Sequence, residues 1–165
     1  MVRHFAAVVI AAALLVAPST GGDAELCAGL TRPLHGPVQR EFAPMGRYSG
    51  HWGVDWVVPE GTEVRAAGAG TVTFAGPVAG NLTLTVDHGG GLRTSYSYLS
   101  VLLVENGDHV AEATTLGASG GGHGTPALHF SVRVGSAYVD PLRVVGCRFA
   151  TLSHALRLVP VRETW

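Results

Sequence analysis

An imidazole and a carboxylate four residues apart open the chemical reading of this chain, in His51-Trp-Gly-Val-Asp55. Both groups are good ligands for a borderline cation such as zinc. Gly53 between them lets backbone come close, because it has no Cβ to clash. A catalytic zinc site takes three protein ligands and keeps one position open, where water is activated and a carbonyl polarised. Two residues at this spacing name no site by themselves, so a third ligand must come from elsewhere. His88, His109, His123, His129 and His154 are the candidates.

The segments that would hold these residues read as strands. Asn81-Leu-Thr-Leu-Thr-Val-Asp alternates polar and apolar residues strictly, the period of a half-buried strand. Leu92-Arg-Thr-Ser-Tyr-Ser-Tyr-Leu continues in the same way, and His88-Gly89-Gly90-Gly91 between them reads as a hairpin connection. Glu63-Val-Arg-Ala, Gly70-Thr-Val-Thr-Phe-Ala and Ala127-Leu-His-Phe-Ser-Val-Arg-Val add further strands. Many short strands with Gly turns and no long helical period predict an all-β fold, an antiparallel β-sandwich. Gly61-Thr-Glu-Val and Gly107-Asp-His-Val each set a Gly three residues before a Val. This faint repeat suggests two related hairpins folded into a barrel-sandwich hybrid. Biotinyl and lipoyl carrier domains share the pattern but need a Lys at a hairpin tip. Here all eleven basic residues are Arg, which removes that reading.

The length of 165 residues suits one domain. Net charge is -1 with no basic stripe, which argues against nucleic acid as a partner. Residues 1–24 have the layout of a secretory signal peptide: a short positive start, an apolar run of twelve residues from Phe5 to Val16, then small and polar residues. The run is shorter than the roughly 20 residues that a membrane span needs. The expectation is therefore a secreted or envelope protein with no stable span after processing. Residues 25–50, with Pro33, Pro37 and Pro44, read as an irregular lead-in to a domain over 51–146. In the 147–165 tail, Leu152, Leu156 and Leu158 suggest a short helix. Cys27 and Cys147 flank the domain and, in an exported chain, are expected to bridge across a long loop.

The motifs together resemble the lysostaphin/LytM-type peptidoglycan endopeptidases. Those proteins carry His-x-Gly-x-Asp, Gly-Thr-x-Val-x-Ala-x-x-x-Gly-x-Val, Gly-Asn, His-Gly-x-Gly, Tyr-x-His-Leu, Gly-Asp-x-Val, His-Leu-His-Phe and Asp-Pro. This chain has His51-Trp-Gly-Val-Asp55, Gly61 to Val72, Gly80-Asn81, His88-Gly89-Gly90-Gly91, Gly107-Asp108-His109-Val110, Leu128-His129-Phe130 and Asp140-Pro141, in that order. The resemblance implies a LytM-type fold and a zinc site built by His51, Asp55 and His129. It also implies peptidoglycan peptides as substrate or ligand. A further hint is an actinobacterial-like subgroup.

Two positions depart from the family pattern. Tyr98 stands where the family has the His of Tyr-x-His-Leu, and Ala127 stands where it has the first His of His-Leu-His. In the family those histidines assist the attacking water and steady the transition state. Strand alternation puts 96 with 98, and 127 with 129, on shared faces, so the replacements are expected to point at the metal. Tyr98 can donate a hydrogen bond to a developing oxyanion but is a poor base, with a reference pKa of about 10. Ala127 can do neither. His123, in Gly120-Gly-Gly-His-Gly124, reads as a mobile-loop residue able to swing in as a second catalytic group. Two readings follow: a zinc endopeptidase with Tyr98 and His123 assisting, or a non-catalytic module. The module would retain metal and bind peptidoglycan or regulate a partner hydrolase.

Overall fold

The computed structural model describes residues 28–46 and 49–146. The expected signal segment, the Cys27–Cys147 bridge and the tail helix lie outside them. In chain order the elements are β1 (Val38–Arg40), β2 (Ala43–Met45), β3 (Ser49–His51), β4 (Val54–Val57), β5 (Glu63–Arg65) and β6 (Gly70–Val78). Then come β7 (Asn81–Asp87), β8 (Leu92–Leu102), β9 (His109–Val110), β10 (Thr115–Gly122), β11 (Thr125–Val134), β12 (Ala137–Val139) and one helical turn, α1 (Pro141–Val144). The turn has a local cause. Asp140 caps it by accepting from the Leu142 N–H at 3.0 Å, and Pro141 supplies a preset φ at the first helical position.

Ten strands form one antiparallel sheet in the order β1-β4-β11-β10-β8-β7-β6-β9, with β12 on β11 and β5 on β10. β8 also pairs with the second half of β11, from His129↔Ser97 to Val134↔Leu92. The sheet curls without closing into a barrel, and β2 and β3 form a separate small pair. The two repeat glycines both take positive φ, +83° at Gly61 and +99° at Gly107. Each is followed by a short strand whose Val, Val64 or Val110, enters the core. At the ends of the described chain, Leu30 and Val145 form a parallel bridge.

Alternation along β11 sorts its side chains. Leu128, Phe130 and Val132 are buried in the core, where Phe130 packs on Trp56 and Tyr96. His129 and Ser131 take the opposite face. Burying the three large rings is worth roughly 2–3 kcal/mol each. Tyr96 therefore packs in the core and does not line a cleft. Its hydroxyl accepts from the Ala67 N–H at 2.8 Å and from the Thr94 hydroxyl at 3.0 Å.

Burial pushes the Tyr96 phenol up to about 12, against the pull of those two hydrogen bonds. The folded value lies above the unfolded one, so the unfolded chain loses its proton first as pH rises. Stability that is complete below about pH 10 is expected to fall between pH 10 and 12, by up to ~2–3 kcal/mol. Denaturant unfolding at about pH 9 and about pH 11.5 checks this. In Tyr96→Phe the Tyr96 share of the alkaline loss should vanish.

Candidate metal centre

The centre is built where two adjoining strands and one cross-strand partner meet. His51 ends β3, and the short Trp52-Gly53 turn leads into β4, which carries Asp55. β4 pairs with β11 so that Asp55 and His129 stand directly opposite. Gly53 makes the approach feasible. A Cβ there would lie 2.5 Å from the Phe130 carbonyl oxygen and 2.7 Å from His129 Cε1. Gly53→Ala is therefore expected to displace His129 and weaken zinc binding at least about tenfold, with a stability loss of roughly 1–3 kcal/mol. Zinc titration beside thermal unfolding checks it. An alanine variant with unchanged affinity would refute this account of Gly53.

Three donor atoms converge. Asp55 Oδ1 lies 3.1 Å from His51 Nε2 and 2.7 Å from His129 Nδ1, and the two nitrogens are 3.1 Å apart. Among the described residues, these three side chains form the group whose ligand atoms are mutually within 4.8 Å. On a tetrahedral zinc with bonds of about 2.0–2.1 Å, neighbouring donors sit roughly 3.3 Å apart. The triangle is a few tenths of an ångström tighter, as expected of donors sharing protons. Two imidazoles and one carboxylate, nearly coincident and largely shielded from water, fit that ion.

The proton positions follow from the surroundings. His51 Nδ1 lies 2.8 Å from the Glu41 carbonyl, which fixes its proton there and turns the Nε2 lone pair inward. His129 Nδ1 faces the ionised Asp55, so it carries the proton the two share. A cation taking all three donors displaces that proton. Asp55 is buried, which by itself raises its pKa. The hydrogen bond from His129 and the charges of both imidazoles outweigh burial and hold the carboxyl below its usual value.

Arg40, which the spacing of motifs did not single out, is the cross-strand partner of Asp55. Its Nη1 stands 3.9 Å from Asp55 Oδ2, the oxygen turned away from the imidazoles. No sequence signal marks it or the Glu41 carbonyl, because both belong to the lead-in and reach the centre through strand pairing, β1 with β4 for Arg40 and β2 with β3 beside Glu41.

Tyr98 reaches the centre by a route that simple alternation misses. Residues 96 and 98 do not share a face. Ser97 pairs with Thr83 and Leu99 with Leu82, which leaves Tyr98 as an extra, bulged residue with φ +67°. Its ring therefore leaves the core side and stands 5.7 Å from the His129 ring. Burial and the Asp55 charge raise the Tyr98 pKa, with Arg40 pulling the other way. The hydroxyl so keeps its proton at neutral pH.

His123 differs from the expected mobile-loop residue. It and Gly124 form a two-residue turn joining β10 to β11, both with positive φ, +53° and +79°, as a type I′ hairpin requires. The His123 ring is exposed and meets Tyr98 edge-on at 5.7 Å, and Tyr98 in turn meets the His129 ring at 5.7 Å. Gly122 packs under the Tyr98 ring, where a Cβ would lie 2.5 Å from ring carbons. Ala127, buried, is two residues from His129 on the same face of β11. His88 bonds Ala69 O and Thr94, and His109 bonds Thr71, away from the centre. His154 lies outside the described residues. Of the two tryptophans among the described residues, Trp56 is core, whereas Trp52 packs outside with Phe42 and Tyr138.

Comparison with known proteins places this geometry. The sequence profile of peptidase family M23 matches residues 49–141. The chain is 38% identical over 134 residues to the uncharacterized protein Rv2891 of Mycobacterium tuberculosis, covering 76% of this chain and 53% of that protein. It thus spans about half the length of this curated relative. Among solved structures, a zinc containing peptidase from Vibrio cholerae superposes with a TM-score of 0.61 at 28% identity, over 68% of this chain and 39% of that one. The antimicrobial peptidase lysostaphin from Staphylococcus simulans does so with a TM-score of 0.61 at 28% identity, over 70% and 53% of the two chains.

Proposed function

The chain belongs to peptidase family M23, and from that premise we propose that it is an exported zinc endopeptidase that hydrolyses peptide bonds of bacterial cell-wall peptidoglycan. His51, Asp55 and His129 hold the metal. The convergence of their three donor atoms within hydrogen-bond distance of one another carries the reading. Bound zinc supplies Lewis acidity toward the scissile carbonyl and lowers the pKa of the attacking water. The remaining work falls to side chains. Tyr98 keeps its proton and donates a hydrogen bond to the oxygen that gains charge as the carbonyl is attacked. His123, exposed against the outer side of the Tyr98 ring, relays protons between the centre's mouth and solvent. Arg40 keeps the outer oxygen of Asp55 facing away from the imidazoles. The Phe5–Val16 run supports export to the envelope or beyond it.

Ala127, a methyl group in place of a proton carrier, favours the second reading, a metal-retaining module that grips peptidoglycan or a partner hydrolase without cutting. Losing one general acid or base costs on the order of 10²–10⁴-fold, which slows an enzyme without abolishing it. The deciding measurement is digestion of purified cell wall by the full chain, with and without chelator. Slow release of soluble peptides that stops on chelation is expected. Binding to the wall with no chelator-sensitive release would establish the module instead.

A further inference from the structure

Beyond the metal centre, the same face of the sheet carries a second feature. Following β11 and β8 away from His129 and Ser97, the cross-strand pairs are Ser131 with Ser95, then Arg133 with Arg93. No register shift interrupts this stretch, so all six side chains share one face. Hydroxyls of Thr83 and Thr85 extend it sideways by bonding Ser97 at 3.0 Å and Ser95 at 2.9 Å. A polar stripe thus runs from the metal centre to two arginines. Four residues of strand set their Cα positions roughly 13 Å from that of His129.

Two like charges directly opposite across strands repel one another. Little here offsets them. Asp87 Oδ2 is 3.8 Å from Arg93 Nε, too far for a hydrogen bond, and Arg133 lies over the Tyr138 ring at 5.2 Å. The three groups carry a net charge of +1. Both Nε atoms are buried and have no hydrogen-bond acceptor. Arg93 nevertheless keeps 39% of its side chain accessible. A folded chain leaves such buried donors unmet at a cost, and the accessible part of the Arg93 side chain is where an arriving anion would meet the pair. Planar guanidinium forks match the two oxygens of a carboxylate.

We propose that Arg93 and Arg133 form a subsite for a carboxylate of an acidic peptide that lies along the hydroxyl stripe. This rests on the peptidase reading for the direction of the peptide, from the metal centre outward. The arginine pair then selects peptides with a carboxylate three to four residues from the bond at the centre, a span of about 13 Å in an extended chain.

Calorimetric binding to the full, metal-free chain tests it without any turnover. The probes are one synthetic acidic pentapeptide and two versions of it, amidated at the C-terminus or at the side chains. Wild type is expected to bind the acid form about tenfold more tightly than one of the amidated forms. The form that loses affinity identifies which carboxylate the arginines take. In Arg133→Gln and Arg93→Gln the preference should shrink to about twofold or less, while Arg133→Lys keeps part of it. The acid–amide comparison on wild type stands even if a variant misfolds. Equal binding of acid and amides by wild type, or a full preference surviving in both folded Gln variants, would overturn the subsite. Inorganic phosphate displacing the acid peptide at matching concentration would overturn it too, as a general anion site. Because binding is read without metal, a chain that never cuts cell wall would sink the peptidase reading and leave this result standing.

Discussion

His129→Ala is expected to abolish chelator-sensitive digestion of cell wall and to leave the purified chain with almost no zinc. His129 contributes one of three donors, and its Nδ1 makes the shortest contact to Asp55, 2.7 Å. Without it, two ligands remain, fewer than any catalytic zinc site uses. Asp55 also loses the neighbour that offsets its burial, so its carboxyl rises toward protonation and binds a cation less well. Lewis-acid stabilisation of several kcal/mol goes with the metal, which is on the order of a 10³-fold or greater fall in rate. The side chain is one-fifth exposed and not a core element, so the fold should persist. Metal analysis, unfolding and cell-wall digestion on the same sample decide the matter. A His129→Ala chain that digests at the wild-type rate would remove the centre from the mechanism.

Tyr98→Phe is expected to lower kcat by roughly 10²–10³-fold with KM and zinc content nearly unchanged. One well-aimed donor to a developing oxyanion is worth about that much. The Phe ring keeps the contacts with His129, His123 and Gly122, so only the hydroxyl is lost. A fall in kcat without a change in KM identifies an interaction made in the transition state alone. If the hydroxyl acted only in packing, kcat would hold while stability fell. His123→Ala should cost less than Tyr98→Phe, because that ring meets the centre only through Tyr98. An equal cost would show that the hairpin tip acts at the centre as directly as Tyr98 does.

Part of the centre was legible because it is local: His51 and Asp55 are four residues apart. His129 was one of five candidate histidines, and only the resemblance of Leu128-His129-Phe130 to the family motif singled it out. What was not legible depends on register. A single extra residue at Tyr98 breaks the alternation of β8, so Tyr96 stays in the core while Tyr98 turns toward the imidazoles. Nothing in Tyr-Ser-Tyr-Leu announces that bulge, since φ +67° at a tyrosine runs against its own preference. His123-Gly124 looked like slack chain among glycines. It is a tight turn, because the flanking residues pair directly, Gly122 with Thr125. Arg40 beside Asp55 and Arg93 opposite Arg133 arise from pairings between strands 15 and 40 residues apart in sequence, respectively. No local pattern encodes them.

The bridge between Leu30 and Val145, reinforced by the Gly146 N–H donating to the Leu30 carbonyl at 2.7 Å, has an architectural consequence. The described chain enters and leaves the fold side by side, through two buried residues. A unit whose entry and exit coincide can be spliced into a longer polypeptide like a bead on a string, without stretching its host. Recombination at a single seam then moves the whole layout between architectures and leaves its internal register untouched.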